Sequence, residues 1–437
     1  MHHSALLYVA FRFALTACAL THRAVAEPVV TRGPYLQLSK PKSIIVRWRT
    51  NEPTDSRVLY GGALGRMNHI TGDSAVTTEH EVKLKDLRPN KPYFYAVGTS
   101  VQTLASGDGF SFTTPPAFGT ADPAHVWVLG DSGTANAGAA AVRDGYASFK
   151  GARYTDLILM LGDNAYENGT DAEFQAAVFD MYPGFLRQSP LFPGLGNHDV
   201  SGTEPPYFSI FDLPTNGHGN SKPSRTENYY SFDFANIHFV CLDSESSSRA
   251  PDGPMANWLR KDLARTPRSW IVAYWHHPPY SKSGDSDAGA ESTDMRATFG
   301  PILETGGVDL VLAGHSHVYE RSFLINGHYG TSGTFQPGMK LDADDGREAG
   351  NGAYTKPLAR TPHSGTVYVV AGSSGKLGSW SGGSTAPVNP NPHPAMFSSL
   401  RQLGSLALDV NGPRMDVRFV RETGAVDDHF TILKTTP

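Results

Sequence analysis

Cysteine is nearly absent from this chain: Cys18 and Cys241 are the only two in 437 residues. Two thiols cannot staple a chain of this length, so a disulfide scaffold is excluded and a packed core must hold the fold. Cys241 lies in the apolar run Ile237-His238-Phe239-Val240-Cys241-Leu242 and reads as a buried, inert thiol. An excess of one charge is also missing. Lys and Arg number 37 against 42 Asp and Glu, a formal net charge of -5, and no polybasic run stands out, which argues against a nucleic-acid partner. After the N-terminus no stretch approaches ~20 continuous apolar residues, so no membrane-spanning helix is expected. What remains is a core-forming globular chain whose length calls for two domains.

The N-terminus has the composition of an export signal. Ala5 to Leu20 is largely apolar, interrupted by Arg12, and Ala24-Val25-Ala26 before Glu27 is a small-x-small cleavage pattern. Residues 1–26 are therefore expected to be removed. Leu15-Thr16-Ala17-Cys18 offers a second reading, a bacterial lipoprotein box that would leave Cys18 lipidated. On either reading the protein is exported, secreted or periplasmic.

From 27 to 116 the text is strand-like. Ser43-Ile44-Ile45-Val46-Arg47-Trp48-Arg49 and Tyr93-Phe94-Tyr95-Ala96-Val97 partly alternate, with Gly, Pro and Asn between such runs. This predicts an all-β sandwich. Leu87-x-Pro89-x-x-x-Tyr93, with Trp48 on an early strand, resembles a fibronectin type III module. That likeness implies Trp48 in the core and Tyr93 as a corner tyrosine.

Thr113 to Pro123 is a linker rich in Pro, Gly and Ala. From 123 to 437 apolar runs recur, each ending in a polar motif: Val126 to Leu129, Leu157 to Leu161, Trp270 to Tyr274 and Val308 to Leu312. These are expected to be buried strands of an α/β or α+β layered domain, a mixed β-sandwich flanked by helices at Ala137 to Phe149, Asp171 to Met181 and Met255 to Ala264. The motifs then fall at strand C-terminal ends, where layered folds place their sites. Two Gly-rich stretches, about 327–365 and 373–394, are expected to be surface loops near the site or over the domain joint.

Five motifs follow one another: Gly130-Asp131-Ser132-Gly133, Gly162-Asp163-Asn164-Ala165-Tyr166, Gly196-Asn197-His198-Asp199, Trp275-His276-His277-Pro278 and Gly314-His315-Ser316-His317. Each alone is a weak signal. Together they supply ligands for two metal ions. Asp131, Asp163, Tyr166 and His317 offer mostly anionic oxygen once Tyr166 ionises, which suits Fe(III) better than Zn(II) or Mg(II). Asn197, His276 and His315, with Asp163 shared, suit a divalent Fe, Zn or Mn. Asp163 is the natural bridge because a carboxylate has two oxygens. A trivalent and a divalent ion against two carboxylates, a phenolate and a hydroxide leave about one positive charge, which attracts a phosphate oxyanion. Paired metals activate water and clamp the attacking and leaving oxygens of an in-line displacement. The motif glycines are expected to let the backbone turn sharply at the strand ends. His198 cannot easily share a metal with its neighbour Asn197, and is expected to protonate the leaving alkoxide or hold a phosphate oxygen. Asp199 would orient its ring.

This series resembles the metallophosphoesterase superfamily, and Tyr166 narrows the resemblance to the purple acid phosphatases, whose larger members carry an N-terminal fibronectin-like module. The run Gly314 to Ser322 is similar to that family as well. The resemblance implies Asp131, Asp163, Tyr166 and His317 around the ferric ion, Asp163, Asn197, His276 and His315 around the divalent one, and His198 in the phosphate pocket. It also implies hydrolysis of small phosphate monoesters by a metal-held hydroxide. A ferric ion lowers the pKa of the water that supplies it, so activity at mildly acidic pH is expected. The chain departs from the larger members in one respect. They place one or two further histidines shortly after His-x-Pro, whereas Tyr280-Ser281-Lys282-Ser283-Gly284-Asp285-Ser286-Asp287 has none. His277 and Lys282 are the replacements at hand. Of the other polar residues, His218, His328, His363 and His393 read as solvated or structural, Glu320 and Arg321 as structural neighbours of the site, and Asp243 as support or a helix cap. Two alternatives stay open: a phosphodiesterase or nucleotide hydrolase on the same metals, and a non-catalytic surface-binding protein built on the N-terminal module.

Overall fold

The strands Ser43–Gly61 and His69–Leu84 form a long hairpin that organises the N-terminal domain. Its inner face carries Ile44, Val46, Trp48, Val58, Tyr60, Val82 and Leu84, all buried in one cluster. Val30–Lys40 pairs with the first half of Ser43–Gly61 and Pro92–Gly98 with the second. The hairpin thus runs through both layers of the sandwich, and the six strands are hydrogen-bonded into one folded sheet. Trp48 lies in the core, stacked on His80 at 4.7 Å. The Tyr93 hydroxyl accepts the Arg88 N–H at 2.9 Å. This is a computed structural model, and it describes residues 26–200, 205–284, 286–380 and 383–436. The expected leader and Cys18 lie outside the described residues. Among the described residues no helix is long and apolar enough to cross a membrane.

The second domain begins with strand Ala124–Leu129 and has two seven-stranded mixed sheets. In the first sheet Ala124–Leu129, Leu157–Met160 and Leu191–Pro193 are parallel. In the second, Ile237–Cys241, Trp270–Trp275, Leu310–Ala313 and Val367–Ala371 are parallel. The sheets face each other across one continuous core that includes Val126, Val128, Leu159, Val272, Leu312, Val369 and Leu406. Every residue of Trp270–Trp275 is buried, because helices Pro254–Arg265 and Gly300–Thr305 cover the outer face of its sheet. Both faces of such strands are apolar, which is why they read as unbroken hydrophobic runs.

Helices Ala137–Lys150 and Pro254–Arg265 lie where the periodicity placed them. The third expected helix differs. It starts as Asp171–Phe174 under a Thr170–Glu173 capping box and continues as a π-helical turn, Gln175–Phe179. This segment helps build the domain joint. Arg32 and Arg49 both pair with Asp171, at 2.9 and 2.6 Å, while the Tyr35 hydroxyl and the Arg47 guanidinium donate to the Ile210 carbonyl. The expectation that a Gly-rich loop lies near the site is met by the stretch that starts at Ser373, described below.

Candidate metal centre

The C-terminal ends of the parallel strands deliver the five motifs to one place. Asp131 follows Ala124–Leu129, Asp163 and Tyr166 follow Leu157–Met160, and Asn197 and His198 follow Leu191–Pro193. From the other sheet, His276 follows Trp270–Trp275, and His315 and His317 follow Leu310–Ala313. Backbone hydrogen bonds stitch the loops together: Asp131 N–H to Gly162 C=O, Gly133 N–H to Asp163 C=O, Tyr166 N–H to Gly133 C=O and Gly314 N–H to His276 C=O, at 2.8 to 3.2 Å.

The glycines serve a different purpose from the expected one. Of those in the motifs, only Gly162 has a positive φ, at 94°. The left-handed positions are instead taken by the polar residues themselves, Asp131 at 55°, Asp163 at 52° and His315 at 65°. Non-glycine residues there cost about 1 kcal/mol or more each, and such outliers gather at functional sites. The glycines are needed for close approach. A Cβ on Gly133 would run into the backbone of Asn164 and Ala165, one on Gly196 into Asp163, and one on Gly314 into the Asp131 carboxylate.

The side chains converge in two groups. In one, the Tyr166 hydroxyl lies 3.1 Å from Asp131 Oδ1, 2.9 Å from Asp163 Oδ2 and 3.2 Å from His317 Nε2. In the other, His276 Nε2 lies 3.1 Å from Asn197 Oδ1, 3.2 Å from His315 Nδ1 and 3.4 Å from Asp163 Oδ1. Asp163 turns one oxygen to each group. His276 donates Nδ1–H to the Leu161 carbonyl at 3.0 Å, which directs Nε2 inward toward Asn197, His315 and Asp163. Carboxylate, amide and imidazole acceptors gathered this closely are stabilised by protons or by a cation placed among them. The donor set therefore fits a metal in each group, mostly oxygen in the first and two imidazoles with two oxygens in the second.

Burial opposes charge on His276, yet the Asp163 carboxylate, and behind it Asp131, draw its pKa up to about 10. Burial, with His276 adding to it, pushes His315 down to about 4. Burial also resists ionisation of Asp163, but His276 outweighs it and holds the carboxyl below its usual range. Tyr166 moves the other way. Burial, then the Asp131 and Asp163 charges, raise its phenol well above the ordinary value. Only a cation replacing the hydroxyl proton would make that oxygen a phenolate.

His198 stands beside this pair of groups. Its backbone N–H donates to Asp163 Oδ1 at 3.0 Å, Nδ1 donates to the Glu167 carbonyl at 2.6 Å, and Nε2 lies 4.0 Å from Asp163 Oδ2. The Glu167 carbonyl, rather than Asp199, orients the ring. Asp199 is buried and accepts from the backbone N–H groups of Asn164, Ala165 and Gly196 and from the Asn164 amide, so it braces two motif loops against each other. His277 packs its ring on His315 at 4.3 Å and is held by Ser244 Oγ at 2.9 Å. Its nitrogens come within 4.8 Å of those of His276 and His315. Lys282 binds Asp287 and Ser332 at 3.3 and 2.9 Å. Arg321 forms a fully buried fork on Asp428 at 2.7 and 3.0 Å, Glu320 accepts from Ser399, and Asp243 caps the loop after Ile237–Cys241. His218, His328 and His393 are buried rather than solvated.

Two family models match the sequence, one to each domain. Residues 31–114 match the purple acid phosphatase N-terminal domain and residues 124–319 match the calcineurin-like phosphoesterase family. The chain therefore carries a purple acid phosphatase N-terminal domain followed by a calcineurin-like phosphoesterase domain. It is 30% identical to purple acid phosphatase 15 of Arabidopsis thaliana over 59% of this chain and 51% of that one. It is 26% identical to a purple acid phosphatase of Glycine max over 65% and 64% of the two chains. The chain thus spans about half the length of the first of these relatives. In fold it is similar to a purple acid phosphatase from yellow lupin (Lupinus luteus) seeds, with a TM-score of 0.70 at 19% identity, covering 93% of this chain and 74% of that one.

Sequence reasoning missed one residue of this neighbourhood, Lys376. Its ammonium lies over the Tyr166 ring, 3.6 Å from the centroid. The available signal was the run Val367-Tyr368-Val369-Val370-Ala371 before Gly372-Ser373-Ser374-Gly375-Lys376, which repeats the strand-then-glycine pattern of the five motifs without a metal-ligand residue type.

Proposed function

We propose that this chain hydrolyses small phosphate monoesters at a pair of metal ions held by Asp131, Asp163, Tyr166 and His317 on one side and Asp163, Asn197, His276 and His315 on the other. One observation carries the reading: Asp163 divides its two oxygens between a group containing a phenol and a group containing two imidazoles. The first group suits Fe(III), the second a divalent Fe, Zn or Mn. Bound there, the metals would supply an activated water and neutralise charge on the phosphoryl group. The protein contributes the rest. Asp131 and Asp163 hold their oxygens in place through left-handed backbone positions, Asp199 fixes the spacing of two loops, and His198 presents Nε2 to the leaving oxygen.

The test is a visible spectrum and metal analysis on one sample of the protein from Glu27 onward. Two metals per chain with a broad tyrosinate-to-iron band, lost in Tyr166→Phe, support the ferric assignment. Two divalent metals without colour remove the ferric ion and keep the phosphoesterase. A protein that takes up no metal overturns the reading. The ratio of activity on a mono- and a diester of the same alcohol decides between monoesterase and diesterase. We also propose export, and the mass of the mature chain separates cleavage after Ala26 from lipidation at Cys18.

A further inference from the structure

We propose that Lys376 is the cation that binds the phosphoryl group of the substrate. This rests on the phosphatase reading above and names a residue that none of the five motifs contains. Of the seven parallel strands, five are followed by a loop that carries a candidate ligand; Ile237–Cys241 and Val367–Ala371 are not, and Val367–Ala371 lies beside Leu310–Ala313. The loop after Val367–Ala371 is pinned to the motif loops on either side. Gly372 N–H donates to Val318 C=O and Ser374 N–H to Gly130 C=O, both at 3.1 Å, and Gly378 N–H donates to His317 C=O at 2.9 Å. Gly130 N–H in turn donates to Ser374 Oγ at 3.2 Å. Lys376 therefore projects from a loop fixed to the Asp131 and His317 motifs.

Its ammonium rests 3.6 Å from the centroid of the Tyr166 ring, a few ångströms from the phenol oxygen that joins Asp131, Asp163 and His317. Among the described residues no carboxylate pairs with it, and the ring face is its contact. A ring face satisfies charge but no hydrogen bond, so three N–H donors remain to be placed. The His198 ring also contacts Tyr166, at 4.6 Å between centroids. Two basic side chains thus flank the phenol, at the edge of the region where the acceptors of both groups converge. A doubly charged phosphoryl group can take the N–H donors of the lysine while the His198 Nε2 faces its leaving oxygen. Lys282, by contrast, is engaged by Asp287 and Ser332.

The experiment titrates inorganic phosphate into metal-loaded wild type, Lys376→Ala and Lys376→Arg by calorimetry, with metal content and the visible band recorded on each. The expected result is a loss of affinity of about 10- to 100-fold in Lys376→Ala, typical of a lost charge-assisted hydrogen bond. Lys376→Arg should retain most of the affinity, because its guanidinium keeps the charge and the N–H donors. KM for a phosphate ester should follow the same order with kcat changing less. Affinity within twofold of wild type in a Lys376→Ala protein with its metals intact overturns the proposal. A shifted visible band with unchanged affinity does so too, and makes Lys376 a residue that only tunes Tyr166. Should the alanine variant not fold, Lys376→Met, which keeps the stem over the ring, replaces it in the same comparison. A metal-loaded wild type that binds no phosphate overturns the phosphatase reading itself.

Discussion

Replacing His198 by Ala separates the two tasks open to this side chain. The substitution leaves the backbone N–H of residue 198 on Asp163 Oδ1 in place, so the two groups of metal-binding side chains should keep their geometry. What disappears is the ring that the Glu167 carbonyl holds with Nε2 directed away from it. A positioned general acid contributes about 100- to 10,000-fold, or ~2.7–5.5 kcal/mol of barrier. The ring is 29% exposed. Water can therefore reach the leaving oxygen and partly replace Nε2, which sets the expected loss in kcat at the lower end, about 100- to 1,000-fold for an alkyl phosphate. A nitrophenyl phosphate leaves as a stable anion and needs no proton, so its kcat should fall less than about threefold on the same reasoning. The assay is kcat for a series of esters of falling leaving-group acidity, wild type against His198→Ala, at matched metal content. Equal losses across the series would refute the acid role and move His198 to holding a phosphate oxygen.

Asp163→Ala removes the one side chain with an oxygen in each group, so activity should fall by more than about 1,000-fold and metal content drop below two per chain, with an unchanged far-UV spectrum; retained turnover would contradict the bridge. Burial holds His328 at a pKa of about 4 and His393 at about 3, while in the unfolded chain both titrate near 6.5. Unfolding therefore takes up their protons first, so the stability they contribute is complete above pH ~6.5 and lost as pH falls through their folded values. The double variant His328→Leu, His393→Leu should show a flatter fall of Tm between neutral and pH ~4 than wild type, and parallel curves would refute this. Arg321→Met leaves Asp428 buried with only Arg347 and the Tyr319 hydroxyl, and should cost about 3 kcal/mol in urea denaturation, with the activity per folded molecule unchanged.

The two domains, the helices at Ala137–Lys150 and Pro254–Arg265, and the placing of motifs at strand ends were legible from periodicity and composition. The reason is that strands buried on both faces cannot hide their apolar runs. That the eight candidate side chains would converge was legible because metal chemistry needs His, Asp, Asn and Tyr, and those types stood out against glycine at the end of each run. Other features left no such trace. A π-helical turn at Gln175–Phe179 has the same apolar spacing as an α-helix. Asp199 looked like a partner for its neighbour His198, but sequence adjacency does not set side-chain direction in a turn, and its carboxylate faces Asn164, Ala165 and Gly196 instead. His328 and His393 sit in polar text and are buried all the same, because Tyr280, Phe335 and each other's rings close around them.

By itself, then, the sequence determined which residue types meet at the ends of which strands, since burial and ligand chemistry both write themselves into composition. Only the tertiary structure decided how those ends are shared out. It turned one oxygen of Asp163 to each group, gave the His198 ring to a carbonyl, and laid Lys376 over Tyr166. These are contacts between loops of different strands, set by the packing of two sheets and the backbone turns at their ends, and a linear text does not carry that geometry.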